Sequence, residues 1–368
     1  MITWLFGSSS DFSQNMIKYL NGDVVQFGRS NVSYEPADIK DWIEDNISNL
    51  DSPDRVIFNI NTGMVNELPT PLHDFDSTES FEIFNNITSY DIDNNLYFNA
   101  PIGNYSDNIK INFYKINIQK KYLDNISSVI KKLKLNIDNY IPSPLSSSLS
   151  SLTKDEKELG TICIDLGHST SSISVFENNK FVYGDAIGVG SNNVTLDIAR
   201  GLSTTIASAE RLKTLYGSLV SSPSDDHEII EIPIISGDKN TFKQITRSSL
   251  NAIIRPRIEE TLEMIWQKIK DNNLKNKKLN NVVLTGGGAM MDNIEKYVET
   301  IFASGVRVSS PLEQLNLDNN FKKPNFCDII GSILYDQDLF KIDFLANQSK
   351  TSKKRGISSF FTWLDQYI

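Results

Sequence analysis

The spacing of apolar residues indicates strands alternating with helices in the first 75 residues. Strand patterns at Met1–Phe6, Asp23–Phe27 and Arg55–Ile60 are separated by helical patterns at 12–20 and Ile39–Leu50. Strand–turn–helix repeats of this kind are typical of a parallel sheet with helices on its faces. We therefore predict that the chain opens with an α/β segment built on a parallel sheet.

The pattern changes after residue 76. A strand is predicted at Ile109–Ile118, a helix at Tyr122–Leu135 and a serine-rich helix at Ser143–Leu152. A longer periodic block begins at residue 160 with two strands, Thr161–Asp165 and Ser171–Phe176, which are joined by a short polar turn. This arrangement predicts a β-hairpin at the start of the block.

The rest of the block to residue 345 is mostly helical. Helical periodicity extends from about Asn193 to Tyr216 and from Arg247 to about Ile269. An apolar strand at Asn281–Thr285 then leads directly into three consecutive glycines. Residues 160–345 thus form the largest periodic block of the chain.

Composition and charge exclude several classes of protein. The chain has 36 basic and 46 acidic residues, a net charge of −10, so it lacks the basic field that nucleic-acid binding needs. Its two cysteines, Cys163 and Cys327, are far apart in the sequence, which argues against a disulfide framework and a cysteine-rich metal site. It has only three histidines, which makes a histidine-based metal site improbable. No apolar run approaches the roughly 18 residues of a membrane-spanning helix.

The turn of the hairpin at 161–176 has the composition of a phosphate-binding loop. Asp165 ends the first strand, and small residues including Gly167, Ser169 and Thr170 follow it. Backbone N–H groups and hydroxyls in such a turn can face an anion, while the carboxylate holds a metal ion through water. A plain hairpin turn is the alternative interpretation.

Two further elements are candidates for the same chemistry. Glycines at 286–288 directly after a strand let the backbone approach a ligand closely, although they also suit a connection without a ligand. Glu210 and Lys213 are three residues apart and share one helix face, where a solvated surface pair is the alternative.

Taken in order, these elements resemble the actin/Hsp70/sugar-kinase ATPase superfamily, and within it the bacterial cell-division FtsA family. The resemblance rests on residues 152–176, 188–218, 282–294 and 324–336, with weaker similarity at 90–105 and 132–152. It covers about residues 80–368. It implies an α/β actin-like fold with RNase H-like subdomains.

The resemblance also implies an ATP site with Mg²⁺. Asp165, Gly167, Ser169 and Thr170 would face the phosphates, Gly190 would belong to the same cleft, and Glu210, Lys213, Gly286, Gly287 and Gly288 would hold the adenosine.

Two departures from the family pattern weaken this expectation. Ser172 and His168 replace an aspartate and a glycine of the phosphate turn, and no first phosphate loop is recognisable in the first 80 residues. Lost charge-assisted hydrogen bonds should weaken ATP binding by ~1–3 kcal/mol or more. We expect ATP turnover to be weak or absent, so the chain is not expected to act as an enzyme.

The first 75 residues instead resemble the opening of a short-chain dehydrogenase. A glycine-containing turn follows the first strand, and Arg29 follows the second, where it could meet the 2′-phosphate of NADP. The catalytic Tyr-x-x-x-Lys is missing from the first 150 residues, so NADP binding is not expected. The segment would be a half-Rossmann unit that replaces a missing first subdomain, or part of a fusion.

The resulting division of the chain has five parts. They are a Rossmann-like segment (1–78), a remnant of the first FtsA lobe (79–158), a second actin-like lobe (159–345), a linker (346–355) and an amphipathic helix (356–368). The fold is thus expected to be incomplete at its N-terminus.

The last 13 residues have the pattern of a membrane-surface helix. Apolar and aromatic residues lie along one side, and Lys350, Lys353, Lys354 and Arg355 precede them. This combination favours binding to anionic lipid, and docking on the chain's own surface is the alternative. The candidate membrane residues are Ile357, Phe360, Phe361, Trp363, Leu364 and Ile368.

The leading hypothesis is an FtsA-like adaptor at the division septum, on the cytoplasmic face of the cell membrane. By resemblance it would self-associate into polymers, tether FtsZ polymers to the membrane and recruit other division proteins, with Arg257 and Glu260 contacting FtsZ. An exposed helical ion pair is the alternative for these two residues. The second hypothesis is an NAD(P)-dependent oxidoreductase fragment fused to a passive actin-like half, and the third is a chimera that does not fold as one unit.

Overall fold

The computed structural model describes residues 2–7, 13–20, 23–31, 55–60, 80–99, 109–132, 137, 139–234, 242–272, 274, 281–302, 304–312, 317 and 319–336. Over the first four ranges the description is of strand backbone alone.

The strands of these ranges fall into four sheets. They are β1 (Ile2–Gly7), β2 (Ser13–Leu20), β3 (Asp23–Asn31), β4 (Arg55–Ile60), β5 (Ser80–Ile92), β6 (Asn95–Tyr97), β7 (Ile109–Gln119), β8 (Asn139–Pro142), β9 (Thr161–Leu166), β10 (Ser171–Glu177), β11 (Lys180–Ile187), β12 (Ile229–Pro233), β13 (Phe242–Thr246), β14 (Asn281–Thr285) and β15 (Gly305–Val308).

The helices pack around these sheets. They are α1 (Lys120–Lys132), α2 (Ser143–Ser151), α3 (Lys154–Leu159), α4 (Ser191–Leu202), α5 (Ile206–Tyr216), α6 (Arg247–Asp271), α7 (Ile294–Phe302) and α8 (Cys327–Asp336). Short 3₁₀ turns occupy Gly287–Met290, Asn319–Phe321 and Pro324–Phe326. No helix among the described residues is both long enough and apolar enough to cross a bilayer.

The two five-stranded sheets share one topology. The first has the order β3-β2-β1-β4-β8 and the second has the order β11-β10-β9-β14-β15. In each sheet three consecutive strands pair antiparallel, and two later strands add in parallel beside the first of them. A repeated sheet of this kind defines two related α/β lobes.

The N-terminal sheet contradicts the half-Rossmann prediction. Residues 12–20 were expected to be helical, yet β2 pairs antiparallel with β1 on one side and with β3 on the other. Arg29 lies inside β3, opposite Asn15, instead of following the strand. A short apolar run in the sequence does not distinguish a strand from a helix. Here residues 13–20 form a strand because β1 and β3 pair with them on both sides.

The prediction that the fold is incomplete at its N-terminus is also wrong. The strands at 2–60, together with β8, build a sheet with the same order as the second one. The β1–β2 hairpin occupies the place that the β9–β10 hairpin has in the second sheet. The turn between β1 and β2, where a first phosphate loop would lie, is outside the described residues.

A third sheet, with the order β6-β5-β7, lies against β11. The hydroxyl of Tyr114 on β7 donates to the carbonyl oxygen of Gly184 at 2.5 Å and accepts from the Gly184 N–H at 2.9 Å. Asn86 on β5 donates to the carbonyl oxygen of Phe181 at 3.0 Å. Burial raises the pKa of Tyr114 to about 12, so its hydroxyl keeps its proton and both bonds at neutral pH.

Two helices, α2 and α8, connect the sheets. Helix α2 follows β8 of the first sheet and packs on β9 and β10 of the second, while α8 lies against β1 and β4. The two helices cross closely, because an added Cβ at Gly331 would lie 1.6 Å from the carbonyl oxygen of Ser146. Ser150 also donates to the carbonyl oxygen of Cys327 at 2.5 Å. Small side chains thus permit the contact.

Candidate functional site

A cavity of about 650 Å³ lies beside the β9–β10 turn. Of the residues predicted from the sequence to bind a nucleotide, most line it: Asp165, Gly167, Thr170, Glu210, Lys213, Gly286, Gly287 and Gly288. Ser169 and Gly190 are not among its lining residues, although both belong to the segment that shapes it. The fold therefore gathers residues from three separate stretches of sequence at one place.

The β9–β10 turn is fastened to the start of α4. The carbonyl oxygen of Gly167 accepts from Ser191 N at 2.9 Å, and that of His168 accepts from Asn192 N at 2.7 Å. Gly190 fits at this junction because an added Cβ would lie 2.4 Å from the His168 carbonyl oxygen. Gly190 therefore permits a close approach of the α4 start to the backbone of the β9–β10 turn, next to the cavity.

Asp165 sits at the end of β9 with its carboxylate toward the cavity. Its Oδ2 accepts from the Ser147 hydroxyl at 2.7 Å, and burial raises the pKa of the carboxyl group. Gly286 packs against it with a φ of +83°, and an added Cβ there would lie 2.2 Å from Asp165 Oδ1. This glycine is thus required both by its backbone conformation and by space.

The next glycine has a different role. An added Cβ at Gly287 would meet only Asn325 Cβ, at 3.9 Å. Because Gly287 lines the cavity, its missing side chain leaves room for a ligand to lie against the backbone. Gly286 thus fixes the turn, and Gly287 leaves the backbone accessible to a ligand. A flat group such as the base of a nucleoside could lie against this backbone.

Lys213 and Glu210 form a partly buried network on α5. Lys213 Nζ donates to Glu210 Oε2 at 2.7 Å, to Thr195 Oγ1 at 2.9 Å and to the Ser191 carbonyl oxygen at 3.1 Å. The Lys213 side chain is only 9% exposed, whereas the Glu210 side chain is 48% exposed, so the pair has a buried cation and a carboxylate that reaches solvent. Burial lowers the pKa of Lys213, and Glu210 opposes this shift.

The carboxylate of Glu210 is held in its charged form. Burial acts to raise its pKa, but hydrogen bonds from Lys213 and Thr195 outweigh burial, and the pKa is lowered. His168 lies near enough to lower it further. The Glu210 carboxylate can therefore accept hydrogen bonds from hydroxyl groups of a ligand, such as those of a ribose.

The structure adds lining residues that the sequence did not indicate. They include Ser143, Ser191, Met290, Asn320, Lys323, Asn325 and Asp328. Asp328 lies in the first turn of α8, and its Oδ1 accepts from the Ser146 hydroxyl. The matching stretch at 324–336 indicated the segment, but no local signal indicated that this side chain would reach the cavity.

The two residues expected to contact FtsZ lie elsewhere, on α6. Arg257 Nε donates to Asp197 Oδ2 at 2.5 Å, Nη2 donates to Asp197 Oδ1 at 3.3 Å, and Nη1 pairs with Glu260. The Arg257 side chain is 27% exposed. Most of its hydrogen-bonding capacity is thus used within the chain. The predicted linker and amphipathic helix (346–368) lie outside the described residues.

Comparison with known proteins relates the second lobe to a division protein. Residues 162–331 match the family model "Cell division protein FtsA". The chain is 34% identical to the FtsA of Agrobacterium fabrum over 251 residues, which is 68% of this chain and 57% of that relative. It is 26% identical to the FtsA of Escherichia coli over 282 residues, 75% of this chain and 66% of the relative. The chain thus matches little more than half the length of the first of these relatives.

Solved structures share the architecture of most of the chain. MreB5 of Spiroplasma citri bound to ADP superposes with a TM-score of 0.59 at 14% identity, covering 92% of this chain and 98% of that one. The PilM-PilN type IV pilus biogenesis complex superposes with a TM-score of 0.64 at 11% identity. The match covers 90% of this chain and 98% of that one. At such identities the likeness concerns the fold.

These comparisons confirm the two main predictions from the sequence. The resemblance to FtsA is confirmed by the family model and by relatives that extend the match over most of the chain. The predicted actin-like architecture is confirmed by the structural neighbours and by the repeated sheet. The chain is therefore related to the cell division protein FtsA and has the actin-like ATPase fold.

Proposed function

We propose that the chain acts in cell division as an FtsA-like adaptor whose cavity binds ATP together with a divalent cation. The single observation that carries the proposal is the match of residues 162–331 to the FtsA family, because these residues supply most of the cavity wall. The adaptor would tether FtsZ polymers to the cytoplasmic face of the membrane at the septum and recruit other division proteins.

The cavity residues suit the parts of a nucleotide. The β9–β10 turn, with Gly167, Ser169 and Thr170, would contact the phosphates, and Asp165 would hold the cation through water. The pair Glu210 and Lys213 would contact the ribose, and the glycines at 286–288 would lie against the adenosine. Mg²⁺, when bound, would neutralise part of the negative charge of the phosphates.

ATP turnover in this cavity is proposed to be weak or absent. Ser172 stands where the family has an aspartate, and a serine hydroxyl is a far weaker base than a carboxylate. The test is steady-state phosphate release from ATP by the full chain, compared with a variant that carries Ser169→Ala and Thr170→Ala. Release that clearly exceeds the variant's background would contradict the proposal.

Membrane attachment is proposed to depend on residues 356–368. A single amphipathic helix of this length binds reversibly, because the ordering of its backbone offsets much of the gain from burial. Self-association into polymers would bring many such helices together and strengthen attachment through avidity. The basic residues of the linker would add attraction to anionic lipid.

The decisive test of the adaptor is co-sedimentation with anionic liposomes and FtsZ. The full chain should bring FtsZ down with lipid, and a chain truncated after Ala346 should leave both in the supernatant. Lipid binding without FtsZ would contradict the tethering role and leave the membrane role standing. Equal sedimentation of the two chains would remove the assignment of the terminal helix.

The proposed FtsZ contact at Arg257 and Glu260 needs a control, because Arg257 also pairs with Asp197. We expect Arg257→Glu to abolish binding of an acidic FtsZ peptide. Asp197→Asn disturbs the same internal pair but keeps the guanidinium, so it should retain peptide binding. If both variants lose binding equally, the loss comes from the internal pair and the contact assignment is wrong.

The structure does not favour the oxidoreductase alternative. A dinucleotide-binding unit needs a helix directly after its first strand, so that the pyrophosphate meets the helix N-terminus. Here β1 is followed by the antiparallel strand β2.

A further inference from the structure

His168 lies in the β9–β10 turn, between Gly167 and Ser169, and lines the cavity. Its backbone is held in place, because its carbonyl oxygen accepts from Asn192 N at 2.7 Å at the start of α4. The family pattern has a glycine at this position. The substitution that removes this glycine therefore also brings an imidazole ring to the wall of the cavity.

Few side chains in the described part of the cavity wall can carry a positive charge. They are His168, Lys213 and Lys323. Lys213 already uses its three N–H groups in the hydrogen-bond network of α4 and α5. Lys323 is exposed and precedes the Pro324–Phe326 turn, whereas His168 lies within the β9–β10 turn itself. His168 is therefore the side chain best placed to present a cation to a phosphate group at this turn.

The charge of a histidine depends on pH. Imidazole ordinarily changes its charge between pH 5 and 8, and its cation has two N–H donors for charge-assisted hydrogen bonds to a phosphate. Glu210 lies close enough to His168 for their charges to interact, and a carboxylate favours the imidazolium form. A bound phosphate would favour that form further, so phosphate binding and protonation of His168 should strengthen each other.

Other charged groups face the same cavity from the surrounding elements. They are Asp165 on β9, Glu210 and Lys213 on α5, Lys323, and Asp328 on α8. Burial raises the pKa of the Asp165 carboxyl group, so its protonation in acid would also favour an anionic ligand. An effect of pH on affinity is therefore assigned to His168 only by comparison with variants at that position.

We propose that His168 is a specificity-determining residue that contacts the phosphates of a bound nucleotide in its cationic form. The chain thus discriminates between a phosphorylated nucleotide and its nucleoside more strongly at acidic pH. A glycine at this position offers only its backbone N–H group, whose charge does not change with pH. This inference rests on the proposed function, since it requires that the cavity takes a nucleotide.

The test is the dissociation constants of ADP and of adenosine for the full chain, measured by calorimetry at pH 6.5 and pH 8 in excess MgCl₂. The wild-type chain should bind ADP about fivefold more tightly at the lower pH, as expected for one charge a few ångströms from a phosphate. Adenosine has no phosphate, so its affinity should be the same at both pH values.

Three variants separate the charge of this side chain from its shape. His168→Gly restores the residue of the family pattern and should lose most of the pH dependence, and comparison with it cancels any titration of ADP itself. His168→Lys keeps a positive charge that does not titrate in this range, so it should bind ADP with little change between the two pH values. His227→Gln removes an exposed histidine that does not line the cavity, so it should behave as the wild type.

The outcomes distinguish the role of His168 from the proposed function. If ADP binds and His168→Gly keeps the pH dependence of the wild type, another group such as Asp165 titrates and the role of His168 is wrong, while the nucleotide site stands. The role is also wrong if adenosine shows the same pH dependence as ADP, or if His168→Lys binds ADP no more tightly than His168→Gly at pH 8. If the wild-type chain binds neither ligand at either pH, the proposed nucleotide function itself fails.

Discussion

The crossing of α2 and α8 should be intolerant of one added methyl group. Gly331 faces the backbone of α2, and a Cβ built at this position lies 1.6 Å from the carbonyl oxygen of Ser146 and 2.4 Å from its carbonyl carbon. Backbone atoms of a buried helix cannot rotate away as a side chain can. The substitution Gly331→Ala therefore requires the two helices to separate.

The size of the effect follows from these distances. A methyl carbon and a carbonyl oxygen need a separation of about 3.3 Å, so the helices must move apart by roughly 1.5 Å. Overpacking of a dense core destabilises by ~1–3 kcal/mol. The shift also stretches the bonds from Ser146 to Asp328 and from Ser150 to the Cys327 carbonyl oxygen, which contribute about 1 kcal/mol each. We expect a total loss of ~3–5 kcal/mol.

The measurement is urea unfolding followed by circular dichroism. Gly305→Ala is a matched control, because its added Cβ would meet only Asn281 Oδ1, at 3.6 Å, an ordinary contact. The control should change the free energy of unfolding by less than about 1 kcal/mol. If Gly331→Ala unfolds at the same urea concentration as the control, then α2 and α8 do not pack as described and the reasoning is refuted.

Three further predictions concern the cavity and the helix that precedes β9. Lys213→Met removes the cation that holds Glu210, so calorimetry should show ATP affinity reduced at least tenfold, and unchanged affinity would contradict the assigned role. Gly286→Ala combines a φ of +83° with a steric clash, so it should lose ~1–3 kcal/mol in urea unfolding, whereas Gly287→Ala should lose less than about 1. Burial lowers the pKa of Lys157 from 10.5 to about 8. Between pH 8 and pH 10.5 the unfolded chain therefore binds one proton more than the folded chain, so the free energy of unfolding should rise by about 1.4 kcal/mol per pH unit. Lys157→Met should lack this rise, and unfolding free energies of the two chains that change in parallel with pH would contradict the prediction.

Local signals predicted the second lobe well. The hairpin strands were expected at Thr161–Asp165 and Ser171–Phe176 and occur at Thr161–Leu166 and Ser171–Glu177. The alternation of apolar and polar residues, the polar turn between the strands and the glycines that end a strand are each local features of a few neighbouring residues. The long helix expected up to Tyr216 is instead broken at Ser203, whose φ is +55°.

Features that depend on distant partners were not predicted. Residues 13–20 become a strand because β1 and β3 pair on both sides of them, and that pairing is a property of the whole sheet. The ion pair of Arg257 joins it to Asp197, 60 positions away. Asp328 reaches the cavity only because α8 crosses α2. The periodicity of the sequence predicts each helix or strand separately and contains no information on contacts between residues that are distant in sequence.

The hydroxyl of Tyr114 has a protective consequence beyond joining two sheets. Strand β11 is the outermost strand of its sheet, and the free N–H and C=O groups of such a strand are a template on which other chains can pair and aggregate. Tyr114 occupies both backbone groups of Gly184, and Asn86 occupies the carbonyl oxygen of Phe181 on the same strand. The third sheet therefore shields the open edge of the second with side chains, which keeps copies of the chain from joining strand to strand at this position.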